Sequence, residues 1–138
     1  VAQPNTLPIY SRVADIQWAT AITAANTATD GTGTVTTVFT ADATNGGFVQ
    51  RIRFKAAGTN VATVARVFVN NGSTNTTAAN NALIDEISLP ATTASNTLGI
   101  GLFEVPLGFA LPPGYKLNVT LGTAVAAGWI PTVIGGKY

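Results

Sequence analysis

Six carboxylates, Asp15, Asp30, Asp42, Asp85, Glu86 and Glu104, are the whole acid supply of this chain, and it contains no Cys, His or Met. General acid–base work by carboxylates needs two of them facing one site with their pKa values driven apart. The one adjacent pair, Asp85–Glu86, sits in ALIDEISLP, where Leu83, Ile87 and Leu89 alternate as a strand does. Neighbours on a strand point to opposite faces, so these two acids cannot share a substrate. Asp85 has the parity of the apolar row and is expected to be paired with an arginine rather than to be catalytic. The missing thiols and imidazoles exclude a disulfide scaffold, a zinc site with Cys or His ligands, a Cys nucleophile and imidazole chemistry. No catalytic residue, metal ligand or cofactor site is expected, and the chain reads as non-enzymatic.

Asp30-Gly31-Thr32-Gly33 has the glycines of a phosphate loop and one acid of a calcium loop, but lacks the Lys-Ser/Thr ending of the first and the further carboxylates of the second. It reads as a turn. Three matches to the Asn-X-Ser/Thr acceptor pattern, at Asn71, Asn75 and Asn118, arise readily by chance in a chain with this much Asn and Thr, and carry no inference.

The cations are more informative. In GFVQRIRFKAA the alternation sets Phe48, Ile52 and Phe54 on one side and Val49, Arg51, Arg53 and Lys55 on the other, so three cations form one row. Arg66 lies on what reads as the neighbouring strand. Two explanations suit the row: a solvated strand face with edge protection, or an ion-pairing surface toward an acidic neighbour. Nucleic-acid binding would want more charge and aromatics interleaved on the same face. Trp18 and Trp129 have apolar neighbours and are assigned to the core rather than to sugar stacking.

These residues must be positioned by strands. Of 138 residues only 9% are charged, against the usual quarter, while 46% are hydrophobic and the net charge is +1. That length is one domain. The balance gives no field for nucleic acid or an anionic membrane. Thr, Val, Gly and Asn fill the gap, which is the vocabulary of strands and turns. Residues 1–9, with Pro4 and Pro8, read as an extended N-terminal arm that lacks the basic and apolar regions of a secretion signal. Residues 10–138 read as one domain.

Eight strands are expected: one from Tyr10 with Ile16 and Trp18 inward, then residues 34–40, 47–57, 61–70, 82–90, 99–109, 115–121 and 128–136. Asn45-Gly46 reads as a hairpin-type turn. The uncharged run 117–136 is long enough to span a membrane, but its Asn118, Pro131 and glycines make it two strands joined by a Gly-bounded turn. The Ala-rich stretch 13–28 is taken as strand rather than helix because of its threonines. The fold class is therefore all-β: a two-sheet antiparallel sandwich of about eight strands, jelly-roll-like, with no helix of consequence. So charge-poor a surface is hard to keep dispersed as free monomers, and two explanations suit it: a stable β-domain with a Thr/Asn-rich polar surface, or cover by an oligomer or a larger assembly.

The strand count, the Pro-bearing arm, the low charge and the passage PLGFALPPGYKLNVTL (residues 106–121) together resemble small virion structural proteins of tailed bacteriophages, in particular the jelly-roll capsid decoration, or cement, proteins. The resemblance implies a homotrimer on the outer surface of a capsid, with itself and a major capsid protein as partners, and no nucleic acid, membrane or small-molecule substrate. It makes residues 1–9 the anchoring arm, with Pro4, Leu7, Pro8 and Ile9 as contact residues. Arg51, Arg53, Lys55 and Arg66 are the candidate ion-pairing contacts. A carbohydrate- or receptor-binding jelly-roll module of a phage tail fibre is the alternative, and it requires an exposed aromatic side chain.

Overall fold

The computed structural model describes residues 11–138; the arm 1–9, with Pro4, Leu7, Pro8 and Ile9, lies outside the described residues. Eight strands follow one another: β1 (Val13–Trp18), β2 (Thr36–Thr40), β3 (Gly47–Ala56), β4 (Thr63–Asn70), β5 (Asn81–Leu89), β6 (Phe103–Leu111), β7 (Lys116–Leu121) and β8 (Trp129–Lys137). The one helical element among the described residues is a three-residue 3₁₀ turn, Ala78–Asn80, before β5.

Two antiparallel four-stranded sheets form, sheet I in the order β1-β8-β3-β6 and sheet II in the order β2-β7-β4-β5. The pairs β1–β8, β2–β7, β3–β6 and β4–β5 are nested, as if one long hairpin had been rolled into a sandwich, which is the jelly-roll order. Only β4 and β5 are both consecutive and hydrogen-bonded. The expected hairpin at Asn45-Gly46 is therefore corrected: that turn carries the chain from β2 in sheet II to β3 in sheet I. Gly46 takes a left-handed φ of 74° there, and the Asp42 carboxylate caps the Thr44 and Asn45 amides. The uncharged run 117–136 is β7, a loop and β8, again one strand in each sheet.

The core lies between the sheets. Val49, Ile52 and Phe54 of β3 and Val133 and Trp129 of β8 meet Phe39 of β2, Ala65 and Val67 of β4 and Leu117, Val119 and Leu121 of β7, all fully buried. Trp129 packs edge-to-face on Phe103, ring centroids 5.6 Å apart, in the arrangement that aromatic quadrupoles favour.

Phe68 is also fully buried but stands outside this cluster. The alternation of β4 puts it on the outer side of sheet II, beside Asn118 of β7. Across that side runs the β1–β2 connection. Asn26 donates its amide N–H to the Leu121 carbonyl, Asn75 Nδ2 reaches the carbonyls of Gly31 and Gly33, and Asn81 Nδ2 reaches that of Asp30. Asparagine side chains thus lace a loop over sheet II and cover it from within the chain. Asp30 to Gly33 is a turn in this lace, its carboxylate accepting from the Thr32 amide and hydroxyl. Buried Asn118 cannot serve as a glycan acceptor in this fold.

Candidate interaction face

Among the described residues the outer side of sheet I has no such cover. Its composition follows from two local departures from simple alternation. In β3 the register slips between Val49 and Arg51, so Val49 is buried and Phe48 turns outward, the reverse of the alternation expected there. Gly135 on β8 makes room for the slip: a Cβ at that position would collide with the Phe48 carbonyl oxygen. Beyond the bulge Ile52 and Phe54 face the core, and Arg51, Arg53 and Lys55 face out, as the sequence predicts.

The second departure is β1. Ile16 and Trp18, expected in the core, are 52% and 66% exposed, while Asp15 and Gln17 turn toward sheet II. Gln17 is the cause. Its Nε2 donates to the Thr40 carbonyl at 2.9 Å and to Asp15 Oδ2 at 3.1 Å, and its Oε1 accepts the Thr40 amide at 3.0 Å. The polar row of β1 closes the open edge of the sandwich, and the apolar row is left on the surface. Trp129, by contrast, is in the core as expected.

Register turns these strands into rows. Trp18 stands beside Thr132, Thr132 beside Arg53, and Arg53 beside Glu104; one step along, Ile16, Ile134, Arg51 and Pro106 form a second row. The face is therefore divided into an apolar strip on β1 and β8 and a charged strip on β3 and β6. Glu104 Oε1 lies 3.2 Å from Arg53 Nε and 3.9 Å from Arg51 Nε. Neither Nε has a well-aligned acceptor, and both are shielded from solvent. A shallow depression of about 240 Å³ lies in the charged half, lined by Arg53, Lys55, Leu102 and Thr132. Lys55 Nζ donates to the Ile100 carbonyl, which ties the 90–102 loop to the rim.

Arg66 does not join this set. Its strand, β4, belongs to sheet II, so it sits on the other side of the sandwich, where its Nε donates to Glu86 Oε1 at 3.0 Å. The expectation that Asp85 takes an arginine is corrected as well. Asp85 keeps the parity of Ile87 and Leu89, opposite Val67, but stands exposed on the edge strand β5, and Glu86 meets the arginine instead. Among the described residues no group of three or more acids could hold a metal ion.

Fold and face together define a jelly-roll β-sandwich with one side covered by its own loop and the other, among the described residues, an uncovered surface that is half apolar and half cationic. Comparison of the chain with protein families, curated proteins and solved structures finds no match.

Proposed function

We propose that this chain is a non-enzymatic structural protein, a capsid decoration or cement protein that docks as a homotrimer on a major capsid protein at the outer surface of a phage virion. The phage context comes from the sequence resemblance. The observation that supports a docking role is the outer side of sheet I, where Trp18, Ile16 and Ile134 lie beside Arg51, Arg53 and Lys55 with no covering segment among the described residues. Tryptophan and arginine dominate the energetics of protein interfaces, and apolar side chains ringed by charge suit a protein surface with acidic groups. Residues 1–9 serve in this reading as an anchoring arm whose prolines lower the entropy lost on docking. Three copies bound together multiply a modest contact into a firm one.

The test is co-sedimentation with empty capsid shells, with light scattering of the free protein. Trp18→Ala should weaken attachment about thirtyfold, the loss of roughly 2 kcal/mol typical of a buried interface anchor. A protein that stays monomeric at high concentration and ignores shells would overturn the reading.

One observation favours the alternative of a carbohydrate- or receptor-binding module: Trp18 is exposed beside a depression lined by Arg53, Lys55 and Thr132. Since Trp129 is fully buried, a ligand at this face would change the emission of Trp18 alone. A spectrum unchanged across a panel of neutral and acidic glycans removes this alternative.

A further inference from the structure

Of the six acids in the chain, four are engaged within it. Asp30 and Asp42 cap turn amides, Asp15 accepts the Gln17 side chain, and Glu104 lies against the arginines of sheet I. The other two, Asp85 and Glu86, are neighbours on β5, an edge strand of sheet II. Asp85 Oδ1 accepts the Glu86 amide and meets no cation among the described residues, while Glu86 gives one oxygen to Arg66 and stays exposed.

The same strand carries apolar groups beside these acids. Leu83 and Ile84 are 40% and 37% exposed, within a run of exposed residues from 82 to 86. Ile84 is the extra residue of the β4–β5 register shift, since Asp85 stands opposite Val67 and Leu83 opposite Phe68. A bulged and charged edge resists extension of the sheet by another strand. What this edge presents to a partner is therefore its side chains. Sheet I presents the complement, with Ile16 and Trp18 exposed beside Arg51, Arg53 and Lys55.

From these two patches we infer that the acidic partner of sheet I is the β5 edge of a second copy of this chain. Leu83 and Ile84 meet the Trp18 strip, and Asp85 and Glu86 meet the cations. A two-fold axis sets a patch against itself, and on sheet I that would oppose three cations to three cations with one acid a side. A three-fold ring joins one patch of each copy to a different patch of the next, which is the arrangement that two complementary patches supply. The face and the edge of a sandwich look in different directions, so successive copies turn and do not line up straight. Exposed ion pairs contribute little affinity. The apolar groups supply most of it, and the charges select which patch meets which. The inference rests on the homotrimer of the proposed function and names the partner of its contact face. Shell attachment then depends on sheet I through the trimer, because three linked copies hold more firmly than one.

The test is a charge swap read by sedimentation equilibrium at low salt. Arg51→Glu leaves Arg53 beside Glu104, and Asp85→Lys removes an acid that meets no cation among the described residues, so each variant should keep the wild-type melting curve. Each should loosen the oligomer about tenfold by placing like charges across the contact. The protein carrying both swaps should associate more tightly than either single variant. Leu83→Ser, which changes no charge, should loosen the oligomer at low and high salt alike. Emission supplies a second readout. Trp129 is buried within the chain, so dissociation of the wild type on dilution should shift the emission of Trp18 to longer wavelength. Oligomers that survive both single swaps, a double variant no tighter than the singles, or Trp18 emission unchanged on dissociation each overturn the inference and leave the homotrimer and shell binding to be judged on their own measurements. A monomeric wild type overturns the inference and the homotrimer together.

Discussion

Gln17 and Thr40 clasp one another across the open edge of the sandwich, the glutamine amide donating to the Thr40 carbonyl at 2.9 Å and accepting the Thr40 amide at 3.0 Å. The strands that carry them, β1 and β2, lie in different sheets, so this clasp stands in for the backbone ladder that an edge otherwise lacks. It also sets the face of every residue on β1. With Gln17 committed inward, Ile16 and Trp18 must point out.

Gln17→Ala should therefore lower stability by about 1 kcal/mol, the net worth of a partly exposed hydrogen-bonded pair. The expected local signature is faster amide exchange at Thr40, with the Val119 and Leu121 amides of the central strand β7 unaffected. Urea denaturation with hydrogen exchange checks both. Protection at Thr40 equal to wild type would mean the clasp contributes nothing.

Glu104 competes with any acidic partner for Arg51 and Arg53. Both arginines and the glutamate are about one-third or more exposed, so solvent screens the pairs and their loss costs roughly 0–1 kcal/mol of stability. Glu104→Gln should leave the melting temperature almost unchanged. It should raise attachment to an acidic surface several-fold at low salt, with the gain vanishing near 1 M salt, where the screening length is about 3 Å. Arg51→Ser/Arg53→Ser should weaken attachment with the opposite salt trend. Salt-independent attachment in all three proteins would show that the strip is merely solvated.

The strands were legible because their alternation is mostly clean. β7 is the plainest case, with Leu117, Val119 and Leu121 inward as its pattern predicts. Pro106 announced an edge or a bulge, and β6 is an edge strand whose partner slips register beside it. What alternation cannot carry is a slip. One bulge in β3 exchanges the roles of Phe48 and Val49, and another in the β4–β5 pairing sets Leu83 opposite Phe68, out of step with Ile87 and Leu89. Both depend on partners distant in sequence: Gly135 leaves room for the first, and the pairing with β4 sets the second.

On β1 the pattern was clean and the face was inverted, because periodicity separates two rows without saying which is inside. The core supplied enough apolar area from other strands, and the polar row found the Thr40 backbone. Trp18 could have been suspected only from its place on the first strand, which the nested order puts at a sheet edge. Arg66 was misplaced for a topological reason: consecutive β3 and β4 lie in different sheets.

Asn60, almost fully buried, ties the loops 57–62, 90–102 and 122–128 to one another at one end of the sandwich, so its removal should be among the most costly single changes away from the apolar core. Asn60→Ala leaves the Ala127 and Gly128 amides and the Gly128 carbonyl without their partner. Stranded buried groups cost about 1–3 kcal/mol each, partly relieved where water enters, so a loss of about 3 kcal/mol is expected. Asn60→Asp should cost less than Asn60→Ala at acid pH, where the protonated carboxyl accepts the two amides and donates its O–H to the Gly128 carbonyl. Thermal unfolding of the two variants at that pH checks the order. Equal losses would assign the effect to packing instead of to these hydrogen bonds.

Acid should loosen the turn between β2 and β3. Hydrogen bonds from the Asn45 amide and then the Thr44 amide hold the Asp42 carboxyl below its ordinary value, and those from the Thr32 hydroxyl and amide do the same for Asp30. A carboxylate depressed on folding contributes stability that is complete above its unfolded value, near 3.9, and is lost as pH falls through the lower folded value. Asp42→Ala removes that contribution at every pH. Its stability should therefore lie below wild type at neutral pH, and the gap should close steadily as pH drops below about 4. Urea midpoints measured from pH 7 down to pH 2 give the comparison, with Asp85→Ala as the control for an acid whose carboxylate bonds only to the next residue's amide. A gap that stays constant across the acid range would mean that Asp42 steadies the turn by shape rather than by charge.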